Sequence, residues 1–335
     1  MKILLLGKNA NKTPGAAVLP DRLARMKETL EVPGVDVALS HAGDLERFEK
    51  DLEAAAPNLV FSSLHQLPNA HGGKVNLHDW LDERGLPYVG SPGSAIDLCL
   101  FKPGLKARWE RRDIPTPRFF YEAITIDAPT LFSRVARAGA RFPFIVKPAR
   151  EGNSRGIDAS SIAGDPEALY RAVSRTLAEF GEALIEEFLG ARPGLREFTV
   201  AMLGPDHRCL PCEILLPSGR VPRLVTTKDK NEHTAVAAPV DDRGLRLKIA
   251  DFAALALGAA GLRDYARIDI LMDGRTLYAI EINGQPMLPD PWFDACVMHA
   301  GYAPFQAVQT AFASAILRHR GAGFQVPGDW RPILP

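Results

Sequence analysis

Two short runs carry the densest chemistry in this sequence: Arg267-Ile268-Asp269-Ile270-Leu271 and Ala279-Ile280-Glu281-Ile282-Asn283. Both alternate polar and apolar residues, the period of a half-buried strand. Arg267 and Asp269 therefore share one face, as do Glu281 and Asn283, while Ile268, Ile270, Ile280 and Ile282 point oppositely into a core. A hairpin that pairs the polar faces would display two carboxylates, a carboxamide and a guanidinium on one patch. Hard oxygen donors of this kind suit Mg²⁺, which takes a few carboxylates and completes its shell with water and phosphate. Asp269, Glu281 and Asn283 are thus candidate metal ligands. An ordinary solvated hairpin face could carry the same residues, so the patch needs support from elsewhere. Register sets an expectation of its own. Glu281 joins Asp269 on one face only across a loop of odd length. Asp273-Gly274-Arg275 is therefore expected to form a three-residue connection, with Asp269 opposite Ala279 and Arg267 opposite Glu281.

A second run supplies that support. Phe144-Ile145-Val146-Lys147-Pro148 reads as a buried strand ending in a lysine, followed by Arg150-Glu151-Gly152-Asn153-Ser154-Arg155-Gly156. Glycines flanking small polar residues let backbone N–H groups close over a phosphate, and Lys147 would add a point charge. The same loop also matches G-x-S-x-G, and His71-Gly72-Gly73 resembles an esterase oxyanion loop, which would make the chain a serine hydrolase. That elbow needs a strand running straight into the serine and a helix running out. Here Pro148 ends the strand six residues before Ser154, and 157–162 reads as another strand.

These runs must be positioned by larger elements. Over the first ~90 residues, strand and helix alternate in the βαβ manner. Strands are expected at Ile3–Leu6, Val35–Leu39, Leu59–Leu64 and Pro87–Val89, and helices at Asp21–Leu30, Asp44–Ala55 and Val75–Arg84. The tract Gly90–Ser94 marks a boundary. Beyond it come a helix at Phe101–Arg112, the Lys147 strand, a helix at Pro166–Phe180 and a break at Arg192-Pro193-Gly194. A strand-rich stretch from Glu197 follows, with a helix near Leu245–Ala260, the hairpin at Ala266–Asn283 and a helix at Pro304–Arg318. A Pro/Gly-rich tail at 321–335 has the composition of a poorly ordered end. The fold class is α/β with α+β lobes, divided as 1–95, 96–189, 190–320 and 321–335.

The whole chain excludes several classes. Forty basic residues balance forty acidic ones, so bulk charge gives neither nucleic acid nor an anionic membrane as partner. Ile3–Leu6 is too short for a signal-peptide core or a span. Four cysteines in 335 residues cannot frame a disulfide scaffold, so a cytoplasmic setting is expected. Cys209 and Cys212 lie in a strand-like run that turns their sulfurs to opposite faces. His71 and His78 read as surface or pocket polar groups. His65, beyond a strand's C-terminal end, is a pocket candidate.

Taken in order, Lys147-Pro148…Arg150-Glu151-Gly152, Leu184-Ile185-Glu186-Glu187-Phe188, Arg196-Glu197-Phe198-Thr199-Val200, Arg267-Ile268-Asp269 and Glu281-Ile282-Asn283 resemble the ATP-grasp fold. Within it the chain is most similar to the D-alanine–D-alanine ligases. Leu64-His65 and Gly85–Ser91 extend the resemblance over nearly the whole length. It implies an N-terminal pre-ATP-grasp domain followed by small and large ATP-grasp lobes. It also implies a carboxylate–amine ligase that activates a carboxylate as an acyl phosphate, with ATP and two Mg²⁺ (Mn²⁺ as a substitute). Lys102 and Lys147 would hold phosphates, with Gly152, Asn153 and Ser154 in the covering loop. Glu186, Glu187, Phe188 and Leu189 would follow the adenine edge, and Glu197 would take the ribose. Asp269, Glu281 and Asn283 would bind the metals, Arg267 would stabilise an oxyanion, and Lys228 would reach the γ-phosphate from the Thr226–Asn231 loop. Small-molecule substrates and a homodimer are expected, with a nucleotide-binding regulator as the alternative from another class.

The substrate-facing segments depart from that pattern. Gly7–Thr13 lacks the family's ammonium-binding glutamate, Asn153 stands for a serine, Asp229 for a tyrosine, and Gly284–Trp292 replaces a serine-containing stretch. Lys8 and Lys12 would repel an ammonium, while Met287 and Trp292 would form an apolar wall. The expectation is a substrate pair other than D-alanine with D-alanine, the authentic D-alanine ligase being the alternative. Asp229 or Asp290 could supply the missing acid.

Overall fold

In the computed structural model, residues 1–7, 22–152, 155–217, 234–319 and 325–334 are described. Three parallel strands open the chain, β1 (Lys2–Leu6), β2 (Asp36–Ser40) and β3 (Leu59–Ser62), in the order β2-β1-β3. β1 is buried on both faces, which is why its sequence is a continuous apolar run rather than an alternating one. Helices α1 (Arg22–Leu30) and α2 (Leu45–Ala55) cover the sheet; Asp44 caps α2 by accepting from the Arg47 N–H. The expected fourth strand at Pro87–Val89 is reduced to a single bridge between Val60 and Tyr88. Strands β4 (Gln66–Pro68) and β5 (Lys74–Asn76) form a small hairpin, so the expected helix from Val75 starts later, as α3 (Leu77–Glu83). Asn76 stops the strand and caps the helix, accepting from His78 and Asp79.

The Gly90–Ser94 tract leads straight into helix α4 (Gly93–Leu100), and α5 (Lys102–Glu110) follows it; one helix at Phe101–Arg112 was expected. Gly93 is required there, because a Cβ would meet the Asn76 and Asp79 side chains at 2.3–2.4 Å. An antiparallel four-stranded sheet comes next, β6-β9-β7-β8, built from β6 (Phe119–Glu122), β7 (Phe144–Pro148), β8 (Ile162–Ala163) and β9 (Ala183–Glu187). Helices α6 (Ala128–Arg137) and α7 (Pro166–Phe180) pack on it. The strand expected at 157–162 is mostly a 3₁₀ turn at Ala159–Ser161, started by an Asp158 cap.

The remaining sheet has five antiparallel strands, β12-β11-β10-β13-β14: β10 (Arg196–Leu203), β11 (Arg208–Leu215), β12 (Val236–Pro239), β13 (Tyr265–Asp273) and β14 (Thr276–Asn283). Helix α8 (Arg243–Ala260) packs on one face, while α9 (Pro291–His299) and α10 (Pro304–Arg318) join this sheet to the first. The tail is not loose where it is described. Trp330 is buried, donates to the Leu30 carbonyl at 3.1 Å and meets Phe312 edge-on. His78 is also buried, and it stacks on Tyr88 at 4.6 Å, contrary to the surface or pocket role expected for it.

Candidate active site

The β13–β14 hairpin reaches the expected result by another route. Asp273 pairs with Thr276, so the connection is the two residues Gly274 and Arg275, and Gly274 takes φ 58°. With regular pairing that turn would send Glu281 to the wrong face. A bulge corrects it: Ile270 pairs with Ala279 and Asp269 with Glu281, leaving Ile280 as the extra residue. Arg267 then lies opposite Asn283 rather than Glu281. The bulge also changes the fate of Ile280, which lines the cleft between the two large sheets instead of joining the core.

Asp269 and Glu281 both line this cleft, with Lys147, Arg267, Glu197 and Trp292. Thr199 donates to Asp269 Oδ1 at 2.9 Å and fixes that carboxylate. Two carboxylates directly opposite on neighbouring strands repel each other, which suits a site that receives a divalent cation. Asn283, two residues beyond Glu281 and opposite Arg267, is exposed and does not itself line the cleft, contrary to the ligand role expected of it; its Oδ1 accepts from the Gln285 N–H at 3.2 Å. Arg267 lies 3.7 Å from Asp269 through Nε and 3.2 Å from Asp290 through Nη1. Burial opposes its charge, but Asp269, Asp290 and Glu281 outweigh burial and raise its pKa, so the guanidinium stays charged. Asp290 also caps α9, accepting from the Trp292 and Phe293 N–H groups.

The opposite wall comes from β7 and β9. Lys147 Nζ reaches Glu186 at 2.6 Å, and Glu186 also meets Lys106 Nζ at 2.7 Å. Burial alone would raise the Glu186 carboxyl, yet the Lys106 and Lys147 ammoniums hold it at about 2. Lys147 is pushed down by burial but ends raised through Glu186, Glu281 and Glu197. Glu187, Phe188 and Leu189 continue along the rim, and Ile145, Ile157, Ile214 and Leu271 give it apolar sides. A charged end and an apolar slot fit a ligand that is anionic at one end and flat and apolar at the other.

Not every expected residue reaches the cleft. Lys102 sits buried at the start of α5 with its Nζ donating to the Glu151 carbonyl and does not line the cleft, although the Glu281 charge acts on it. Gly152 is exposed beside that segment. Asn153, Ser154, Lys228, Asp229, Lys8 and Lys12 lie outside the described residues. Met287 is half-exposed away from the wall expected of it, whereas Trp292 does line the cleft. His65 bonds Asp97 at 2.7 Å, and His71 is exposed. No helix follows Gly156 directly, so the esterase elbow has no support. Sequence reasoning missed Lys106 and Thr199; the i, i+4 spacing of Lys102 and Lys106 on one helix was the available signal.

A family model described as the D-Ala–D-Ala ligase C-terminus matches residues 109–305. A D-alanine–D-alanine ligase of Bordetella avium is 32% identical over 272 residues, covering 78% of each chain. The ligase B of Xanthomonas campestris is 30% identical, covering 81% of this chain and 79% of its own. The chain belongs to the D-alanine–D-alanine ligase family. A ligase of that name from Bacillus anthracis, solved with ATP, superposes with a TM-score of 0.71 over 96% of this chain and all of its own. At 17% identity it shows the fold, which is ATP-grasp. As a member of the family, the chain is an ADP-forming carboxylate–amine ligase.

Proposed function

We propose that the chain joins two molecules of D-alanine in an ATP- and Mg²⁺-dependent reaction. The observation that carries the reading is the facing pair Asp269 and Glu281, set across the cleft from Lys147 with Arg267 beside them. The names of the relatives favour D-alanine, and the different pair suggested by the divergent segments finds no support there. Three of those segments, around Lys8, Asn153 and Asp229, fall outside the described residues. In the fourth, Asp290 supplies an acid beside Arg267.

The residues would divide the work as follows. Asp269 and Glu281 are hard donors that would hold the metal; bound Mg²⁺ would neutralise phosphate charge during transfer. Lys147 would pair with phosphate oxygens, and the rim Glu187–Leu189 with Glu197 would seat the nucleoside. The donor carboxylate oxygen attacks the γ-phosphorus and ADP leaves, giving an acyl phosphate. The acceptor amine then attacks the acyl carbon, phosphate leaves and the nitrogen loses its proton. Arg267 would stabilise the oxyanion formed in that second step. ADP release measured across carboxylates, each with and without amine acceptors, tests the reading. D-Alanine should serve in both roles, and release driven only by another pair would overturn it.

A further inference from the structure

Glu186 is a carboxylate shared by two lysines of unequal standing. Its side chain is 2% exposed and meets Lys106 at 2.7 Å and Lys147 at 2.6 Å. Lys147 lines the cleft and its side chain is 14% exposed. Lys106 is 1% exposed and does not line it. The strands explain the Lys147 contact: Ile145 pairs with Glu186 and Lys147 with Leu184, so Lys147 and Glu186 are diagonal neighbours on one face. Helix α5 brings Lys106 in from behind. There its Nζ also donates to Thr116 Oγ1 at 2.7 Å, and the Thr116 hydroxyl donates to the Ala279 carbonyl at 2.8 Å, two residues before Glu281. Lys106 is thus tied down on two sides, while Lys147, among the described residues, bonds Glu186 and turns a face to the cleft.

We infer that Lys106 is a positioning residue for nucleotide phosphate: it remains the counter-ion of Glu186 so that Lys147 can turn to the ligand. A buried carboxylate that loses its partner is strongly penalised. Without Lys106, Glu186 would hold Lys147 back against the pull of a phosphate. With Lys106 in place, the group of three keeps one net positive charge to offer. The inference rests on reading the cleft as a nucleotide site, and concerns the phosphate end of the ligand alone.

Calorimetric binding of Mg-ATP and of adenosine to the full chain separates these claims. Lys106→Met should weaken ATP by more than about tenfold while adenosine, which has no phosphate, changes less than about threefold. Lys106→Arg should bind ATP almost as the parent does. The double variant Lys106→Met/Glu186→Gln should return to within about threefold of Glu186→Gln alone, because no carboxylate is left to hold Lys147. Equal losses for ATP and adenosine, or a double variant no better than Lys106→Met, would overturn the inference. Should Lys106→Met fail to fold, Thr116→Val, which loosens only the second tie, must still weaken ATP more than adenosine. A parent chain that binds no ATP would instead reject the nucleotide reading itself.

Discussion

At the scale of single residues, the site is defined by charges that face each other across strands. Glu281→Gln exchanges groups of nearly equal size and removes one of two opposed carboxylates, so the chain should fold as before. Its Mg²⁺-dependent ADP release should fall by more than about 100-fold, since even residues behind a metal ligand are worth 10–100-fold; near-parental release would show that Glu281 holds no metal. Arg267 calls for a gentler change than alanine, because it lies between Asp269 and Asp290 and its loss would take a positive charge away from both carboxylates at once. Arg267→Lys keeps the charge but loses the fork. Its kcat should drop roughly 100-fold with the KM for ATP little changed, and a loss confined to KM would argue against oxyanion stabilisation. These residues were legible because alternation on a strand assigns faces without knowledge of the fold. Lys106 was not, since the partner that gives it meaning, Glu186, is 80 residues away on another element.

At the scale of elements, the fold is legible in the sequence where one periodicity runs unbroken and obscured where two elements meet. The hairpin shows both sides. Alternation placed Asp269 and Glu281 on polar faces, but parity alone cannot tell an odd loop from a bulge, since each adds one residue. The fold uses the bulge, and this can be tested by deletion. Removing Ile280 would let Glu281 follow Ala279 directly and still face Asp269 across an uninterrupted ladder, with one cleft-lining side chain lost. The shortened chain should bind Mg-ATP more weakly, by about tenfold, but in a manner still dependent on Mg²⁺. Loss of the Mg²⁺ dependence would mean that the local geometry of the bulge, beyond the choice of face, places Glu281. The same limit explains α3 and α4, whose starts depend on the Asn76 cap and on a close approach at Gly93 that no period announces.

At the scale of the whole molecule, the N-terminal sheet is joined to the five-stranded sheet through a buried polar seam that no local sequence pattern announces. Asp264, at φ 63°, accepts from the Gly90 N–H at 2.8 Å, from Ser314 at 2.8 Å and from Arg318 at 2.5 Å. Arg263 donates to the Gly90 carbonyl and to the Tyr88 hydroxyl, and Tyr88 stacks on His78. His78 approaches the Ser91 carbonyl through Nδ1 at 2.7 Å; a carbonyl only accepts, so Nδ1 carries the proton and donates. Burial then lowers the pKa of this imidazole from 6.5 to about 4, against the opposing effect of the Ser91 hydrogen bond. The unfolded chain therefore binds a proton near pH 6.5 that the folded chain refuses until about pH 4. The stability from this group is complete above pH 6.5 and is lost as pH falls through that window, in total by about 3 kcal/mol. Asp294, raised to about 6 chiefly by burial and by Asp290, works in the opposite direction over part of the same range. The parent's own pH profile is therefore a mixture, and a difference between two chains is needed. His78→Asn can keep a donor toward Ser91 while removing the titration. Urea midpoints taken between pH 7 and pH 4 should fall less steeply for this variant than for the parent, the two curves converging as pH drops. Parallel curves would show that His78 titrates normally and that the seam does not exclude its proton.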